Sequence, residues 1–139
     1  MSQANLSTWR ERGETVVAAI NARDFDAIAE MPFVDPSFEF FSALSAVEGR
    51  SHVGASGLRD WAAEMDEVWD SFRIELTDLR EAQDGRLVAL YHVYGDARGS
   101  GVPLDTMTAQ VWTLRNDKLW RNQSYTEPQA ALEAVGLRE

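Results

Sequence analysis

The sequence contains no cysteine and only two histidines among its 139 residues. Without cysteine the chain can form neither a disulfide nor a zinc–sulfur site, and thiolate chemistry is excluded. His52 and His92 are far apart in the sequence and lack the spacing of a paired metal-binding motif. The segment Gly99-Ser100-Gly101 is followed by neither a lysine nor a helix start, so it is not a phosphate-binding loop. We therefore expect neither a metal nor an organic cofactor.

Positive charge and long apolar runs are also scarce. The chain has 13 basic and 23 acidic side chains, which gives a net charge of −10. Such a charge repels phosphate backbones and anionic lipid surfaces, which argues against nucleic acid and membranes as partners. No apolar run approaches the length of a membrane span. The polar N-terminus lacks the apolar core of a signal peptide. A cytoplasmic protein is expected.

The organisation of the chain indicates one domain over residues 1–139. A chain of this length fits one domain and buries roughly 70% of the surface that its unfolded form exposes. No linker, repeat or low-complexity tract divides it. One core is therefore expected, with no need for a disulfide or a metal to stabilise it.

Helical periodicity predicts three helices in the first half of the chain. Apolar residues at helical spacing predict the first helix over residues 7–21, with Thr8 and Glu11 as a capping box. Asp24 is expected to cap a short second helix, which Pro32 ends. The third helix is predicted over residues 51–71, with one apolar face made of Leu58, Trp61, Met65, Trp69 and Phe72.

Alternating patterns predict strands in the rest of the chain. A short buried strand contains Phe38, Phe40 and Phe41, and further strands are expected from Phe72 onward and over residues 87–94, 107–114 and 119–125. Asp84-Gly85 and Asn116-Asp117 are predicted turns, and residues 95–103 a loop. A last short helix is expected, with Thr126 and Gln129 as a capping box, Pro128 in its first turn and Gly136 after its end. This order predicts an α+β protein with a mostly antiparallel sheet.

Four segments carry a resemblance to a known family. They are residues 21–28 (NARDFDAI), Val47-Glu48-Gly49-Arg50 before the third helix, residues 109–119 (AQVWTLRNDKL) and residues 131–137 (ALEAVGL). In this order they resemble the SnoaL-like proteins, which have the cone-shaped nuclear-transport-factor-2-like fold. The resemblance implies a curved, mostly antiparallel sheet packed on N-terminal helices, with a conical pocket between them.

The resemblance also shows which catalytic groups are missing. Ketosteroid isomerase, which has the same fold, carries a tyrosine and two aspartates at positions that correspond here to Val16, Phe40 and Gln110. None of these three can abstract a proton, so ketosteroid isomerase chemistry is not expected. The nearest match to the Arg-x-Asp pair of limonene epoxide hydrolase is the reversed Asp96-Ala97-Arg98. SnoaL-like cyclases use an aspartate inside the cone, for which Asp105 is the available candidate.

Alternation along the strands gives the candidate pocket residues. Tyr91, Gln110 and Trp112 are expected to face the cone, and Gln110 can both donate to and accept from a ligand. The other reading of each is a core residue whose polar group bonds to a neighbour. The candidate ligand-binding set is Gln110, Tyr91, Trp112, Asn122, Phe40, Val16, Trp61 and Phe38.

Other polar residues are expected outside the cone. His92 shares a strand face with Val88, Leu90 and Tyr94, which the resemblance places on the convex side, so it is interpreted as structural or interfacial. His52 is predicted to be a surface residue. The acidic side chains between Asp60 and Asp70 are interpreted as a solvated helix face.

Two functions remain open at this point. The first is a pocket protein for a small apolar molecule, polycyclic or aromatic, with or without isomerase, cyclase or hydrolase activity. The second is a non-catalytic dimeric interaction module with a vestigial pocket. In either case the strand over residues 87–94 is apolar on both faces and predicts a homodimer through the sheet.

Overall fold

The computed structural model of the protein describes residues 3–41, 51–99 and 103–137. The segment Val47-Glu48-Gly49-Arg50 lies outside these ranges. Ten elements follow one another: α1 (Gln3–Asn21), α2 (Phe25–Ala29), β1 (Val34–Phe41), β2 (His52–Val53), α3 (Gly54–Val68), β3 (Trp69–Glu81), β4 (Leu87–Ala97), β5 (Pro103–Arg115), β6 (Lys118–Tyr125) and α4 (Pro128–Ala134).

Within the described ranges the strands form one six-stranded sheet in the order β2-β1-β6-β5-β4-β3. All neighbouring strands are antiparallel except β1 and β6, which run parallel and pair Phe40 with Asn122. The concave face of the sheet, which carries Tyr91, packs against α1, α2 and α3. The convex face carries Val88 and packs against α4. The predicted α+β architecture with a mostly antiparallel sheet on N-terminal helices is confirmed.

Helix α1 begins at Gln3, four residues before the predicted start. Thr8 therefore lies inside the helix, and the predicted capping box of Thr8 and Glu11 is wrong. At its other end, the Asn21 side chain donates from Nδ2 to the Ile74 carbonyl and accepts from the Ile74 N–H, both at 2.9 Å. Since Ile74 belongs to β3, this amide fixes the end of α1 against the sheet.

The predicted short second helix is confirmed as α2. The Asp24 side chain accepts a hydrogen bond from the Ala27 N–H at 3.3 Å, which satisfies one of the free donors at the helix start. The helix ends at Ala29, before Pro32, and buries Phe25 and Ile28 in the core.

Helix α3 ends at Val68, so the predicted extension of this helix to residue 71 is wrong. Trp69 is already extended, and Phe72 pairs with Gly95 on β4. Both residues lie on β3, where their ring centroids are 5.8 Å apart. Strand β4 correspondingly continues to Ala97, which corrects the predicted loop from residue 95. None of the described helices is long and apolar enough to cross a membrane.

The two predicted turns are confirmed. Gly85 has a φ of 91°, and Asn116 and Asp117 have φ values of 53° and 60°. Positive φ at two successive residues is typical of the tight turns that join antiparallel strands. These turns connect β3 to β4 and β5 to β6.

Helix α4 covers part of the convex face. Its Ala131 and Leu132 bury Val88, which is fully inaccessible to solvent, and Leu90 packs at the edge of this cluster. The homodimer prediction assumed that the outer face of this strand is exposed, and this assumption is wrong for Val88. The helix has Glu127, not Thr126, as its N-cap residue, so the second predicted capping box is also wrong. Gly136 follows the helix end with a φ of 81°, as expected.

Candidate ligand-binding site

A cavity lies between the concave face and the helices. It has two adjoining chambers that share Ile20, Trp61, Tyr91, Gln110 and Ser124 as walls. The small chamber, of about 50 Å³, is closed by Phe38, Phe40 and Asn122. The large chamber, of about 340 Å³, extends toward Trp69, Phe72 and Leu104. The larger volume is within the range of small-molecule sites.

The structure brings all eight candidate residues together around the small chamber. They come from α1, β1, α3, β4, β5 and β6, and are Val16, Phe38, Phe40, Trp61, Tyr91, Gln110, Trp112 and Asn122. Their contact with a ligand stays a prediction. Trp9 lines neither chamber; it is 1% exposed and packs against Phe33.

Strand register places Gln110 at the centre of this group. Gln110 and Trp112 are two residues apart on β5 and therefore share the concave face. Tyr91 pairs with Thr108, which makes it a diagonal neighbour of Gln110 across the β4–β5 ladder. Asn122 pairs with Trp112 and is the diagonal neighbour on the β6 side. Three polar side chains can therefore reach Gln110.

All three donate to the same atom, Gln110 Oε1. The Tyr91 hydroxyl donates at 2.9 Å, the Trp112 Nε1–H at 3.0 Å and the Asn122 Nδ2–H at 2.9 Å. An indole N–H can only donate. The atom facing Trp112 must therefore be the amide oxygen, which fixes the orientation of the Gln110 side chain. Asn122 must then present its nitrogen to Gln110, because two facing oxygens would repel each other.

This arrangement leaves two polar atoms for other partners. Within the described residues every hydrogen bond of the Gln110 side chain uses Oε1, so the Nε2 hydrogens are still available. Asn122 Oδ1 is buried and has no hydrogen-bond partner in the described part of the chain. The polar centre of the cavity therefore offers one donor and one acceptor.

Tyr91 is locked in its neutral form. Burial raises the pKa of its hydroxyl far above the usual value, because the phenolate would lose its hydration, and the nearby indole N–H of Trp112 offsets only part of this. The hydroxyl proton goes to Gln110 rather than to a backbone carbonyl or a ligand. Tyr91 therefore shapes the cavity and holds Gln110 in place.

Aromatic rings form the walls of the small chamber. Phe38 and Phe40 are stacked with centroids 5.5 Å apart, and Trp61 meets Phe40 edge to face at 5.4 Å. The His52 ring stacks on the Phe40 ring at 4.9 Å. His52 is 7% exposed, so its predicted surface position is wrong. It is buried because β2 pairs His52 with Phe40, and because Gly57 lets α3 approach the His52 backbone closely.

Glu64 is a cavity residue that the sequence pattern missed. It lines the large chamber, and its Oε2 lies 3.1 Å from His52 Nε2. Among the described residues of both chambers it is the single carboxylate. The interpretation of all acidic residues on this helix as solvated was wrong for Glu64. Its position three residues after Trp61 was the available signal, because such residues share a helix face.

The other polar candidates lie outside the cavity. Asp105 contacts His92 Nε2, and the Tyr94 hydroxyl lies 2.8 Å from His92 Nδ1. His92 shares the convex face with Val88, as the resemblance implies, and Asp105 is not a cone aspartate. No group of three or more His, Asp or Glu side chains in the described ranges could hold a metal ion.

The charged side chains of the reversed Asp96-Ala97-Arg98 segment also form surface contacts. Asp96 accepts a hydrogen bond from the Ser71 hydroxyl at 2.8 Å, and Arg98 forms an ion pair with Asp70 at 2.9 Å. Neither side chain lines a chamber, whereas an epoxide hydrolase pair would have to do so.

Comparison with known proteins adds a family and several solved structures. A family model described as "SnoaL-like domain" matches residues 14–122. An NTF2-like protein of unknown function from Burkholderia pseudomallei is 16% identical, with 98% of this chain and 99% of that chain covered and a TM-score of 0.68. A protein with a ketosteroid isomerase-like fold from Catenulispora acidiphila, in complex with trimethylamine, is 17% identical (87% and 88% covered, TM-score 0.65).

TerC, co-crystallised with polyporic acid, is 19% identical to this chain, with 86% and 90% covered and a TM-score of 0.65. No curated protein matches the sequence significantly. At these identities the solved structures establish the fold alone, and they confirm the expected nuclear-transport-factor-2-like architecture.

Proposed function

Because the chain belongs to the SnoaL-like domain family, we propose that it binds a small apolar molecule, aromatic or polycyclic, in the two-chamber cavity. The observation that carries the proposal is the polar centre at Gln110 within otherwise apolar walls. A cavity with aromatic walls and few convergent polar groups is typical of small-molecule sites. The flat body of the ligand would occupy the large chamber, with one polar group directed at Gln110 Nε2.

Two proteins of similar fold were crystallised with a small molecule, which supports a ligand-binding role. TerC was co-crystallised with polyporic acid, and the Catenulispora acidiphila protein with trimethylamine. The two molecules differ in size and charge, so neither identifies the ligand here. In this chain Trp61, Trp69 and Phe72 line the large chamber, and these rings favour a ligand with a flat aromatic body.

Two variants of adjacent residues on β5 test the proposal. Thr108 lines the large chamber, whereas Met107 is 41% exposed and points to the opposite face. Thr108→Trp should fill the chamber, and Met107→Trp adds the same side chain outside it. The neutral fluorescent probe N-phenyl-1-naphthylamine should bind the parent and Met107→Trp with one saturable site, and Thr108→Trp at least tenfold more weakly. Equal binding by the two variants would place the site elsewhere.

A second candidate function, proton transfer on the bound molecule, is favoured by Glu64. Isomerisation and cyclisation both begin with removal of a proton, and a carboxylate beside the large chamber could act as the base. 5-Nitrobenzisoxazole, which opens on loss of one proton, is a suitable test substrate. Glu64→Gln should reduce the rate at least tenfold, while Glu67→Gln, an exposed position on the same helix, should leave it unchanged. Equal rates for the two variants would exclude Glu64 as the base.

The alternative of a dimeric interaction module rests on the uncovered part of the convex face. Met107 pairs with His92 there, next to Tyr94, and helix α4 does not cover them. A homodimer through this area is the corresponding proposal. Light scattering at micromolar concentration should give twice the chain mass for the parent and the chain mass for Met107→Asp. A monomeric parent contradicts it.

A further inference from the structure

Asn122 is the residue of the cavity whose hydrogen bonding is incomplete. Its Nδ2 donates to Gln110 Oε1, and its Oδ1 is buried without a partner in the described part of the chain. The amide cannot be turned over to exchange these atoms, because Trp112 fixes Gln110 with the oxygen toward Asn122. Buried acceptors nearly always have a partner in native proteins, and an unpaired one marks a place where a donor is missing.

We infer that Asn122 selects ligands that carry a hydroxyl group, which donates to Asn122 Oδ1 and accepts from Gln110 Nε2. The inference rests on the proposed ligand-binding function and deepens it by naming the polar group of the ligand. One hydroxyl oxygen can do both, since it has one donor and two lone pairs.

Other polar groups fit less well. A ketone, an ether or a carboxylate can only accept, so each would bond to Gln110 and leave Asn122 Oδ1 unpaired. An ammonium group can only donate and would leave the Gln110 nitrogen without a partner. A primary amide has both functions but needs more room. The small chamber, at about 50 Å³, has space for one or two water-sized groups.

The chamber sizes place the rest of the ligand. A two-ring aromatic body fits the large chamber of about 340 Å³, and Gln110 lines both chambers. A hydroxyl at the edge of that body would then enter the small chamber between Gln110 and Asn122. The expected ligand class is therefore a neutral hydroxylated aromatic compound.

A matched probe series tests this directly. 2-Naphthol donates and accepts, 2-methoxynaphthalene only accepts, and 2-methylnaphthalene does neither while having nearly the size of the naphthol. Titration calorimetry should show 2-naphthol binding about tenfold more tightly than either analogue. A hydrogen bond that satisfies a buried acceptor accounts for a difference of this order.

Two variants on the same strand assign the preference to Asn122. Asn122→Ala removes the acceptor while Gln110 keeps its bonds with Tyr91 and Trp112, and it should bind 2-naphthol and 2-methoxynaphthalene with similar affinity, because both can still accept from Gln110 Nε2. Gln123→Ala, which pairs with Val111 on the opposite face of the same strand, should keep the naphthol preference. Equal binding of the three probes by the parent, or an unchanged preference in Asn122→Ala, overturns the inference. Binding of none of the three probes would instead contradict the proposed function.

Discussion

Replacing Gln110 by leucine is expected to destabilise the fold as well as weaken ligand binding. Leucine accepts no hydrogen bond, so the donors of Tyr91 and Trp112, which are 5% and 2% exposed, would be buried without partners. Each unpaired buried donor costs about 1–3 kcal/mol, which gives about 2–6 kcal/mol for the two. The whole fold of such a domain is worth only about 5–15 kcal/mol.

Thermal unfolding is the direct assay. With roughly 3–4 °C per kcal/mol for a chain of this size, Gln110→Leu should lower the Tm by about 6–24 °C. Gln110→Glu is the matched control, because it keeps an oxygen acceptor for the three donors and replaces the amide nitrogen by a second carboxyl oxygen, whose charge these donors help to stabilise. It should lose much less stability than Gln110→Leu and still bind 2-naphthol more weakly than the parent.

A double-variant comparison separates the network from simple loss of packing. Tyr91→Phe removes one of the donors, so combining it with Gln110→Leu should cost less than the sum of the two single changes. Additive losses would mean that the Tyr91 hydroxyl is not coupled to Gln110. A Tm for Gln110→Leu within about 2 °C of the parent would refute the whole argument.

Three further predictions concern packing and pH. Gly13→Ala should lower the free energy of unfolding in urea by about 1–3 kcal/mol, because the alanine Cβ would lie 2.8 Å from Trp112 Cη2. This loss should outweigh the better helix propensity of alanine. A gain in stability would contradict the close packing of Gly13 on Trp112. The Ser37 hydrogen bonds, helped by Arg115, lower the pKa of Asp35 from 3.8 to about 2. Stability from this group is thus present above pH 4 and lost as the pH falls toward 2, and Asp35→Asn should lack that part of the acid profile. Because burial raises the pKa of Tyr91, the folded protein keeps this proton where the unfolded chain loses it, so stability should fall above about pH 10; Tyr91→Phe should fall less steeply over the same range, and an identical slope would be inconsistent with the buried hydroxyl.

The sequence predicted the elements wherever local chemistry decides them. Asp24 caps α2, Gly85 and Asn116-Asp117 turn the chain between strands, and Gly136 follows α4, each for a reason contained in a few neighbouring residues. The end of α3 was missed because Trp69 and Phe72 continue its helical spacing. They are extended because they pair with β4, and the spacing of apolar residues in the sequence does not reveal this pairing.

The candidate site was predictable in part. Alternation and the family resemblance identified the side chains that line the small chamber, because the face of a strand residue follows from its position. They could not reveal that three donors share Gln110 Oε1, since this depends on the relative register of three strands. His52 and Glu64 were misplaced for a similar reason. Their surroundings arise from β2 pairing with β1 and from the packing of α3 over that pair.

The parallel pairing of β1 with β6 also has a consequence for how the molecule folds. β1 pairs with a strand about eighty residues later in the chain, so Phe40 meets Asn122 only after β6 has been synthesised. The hairpins β3–β4, β4–β5 and β5–β6 connect neighbouring segments and can form locally, whereas this closure must overcome the entropy of a long loop. We therefore expect the cavity to be completed late in folding, with one hydrogen-bonding edge of β1 unpaired until then. A nascent chain that lacks its final twenty residues could still pair β3, β4 and β5, but it would have no small chamber, because Asn122 and Ser124 would still be missing.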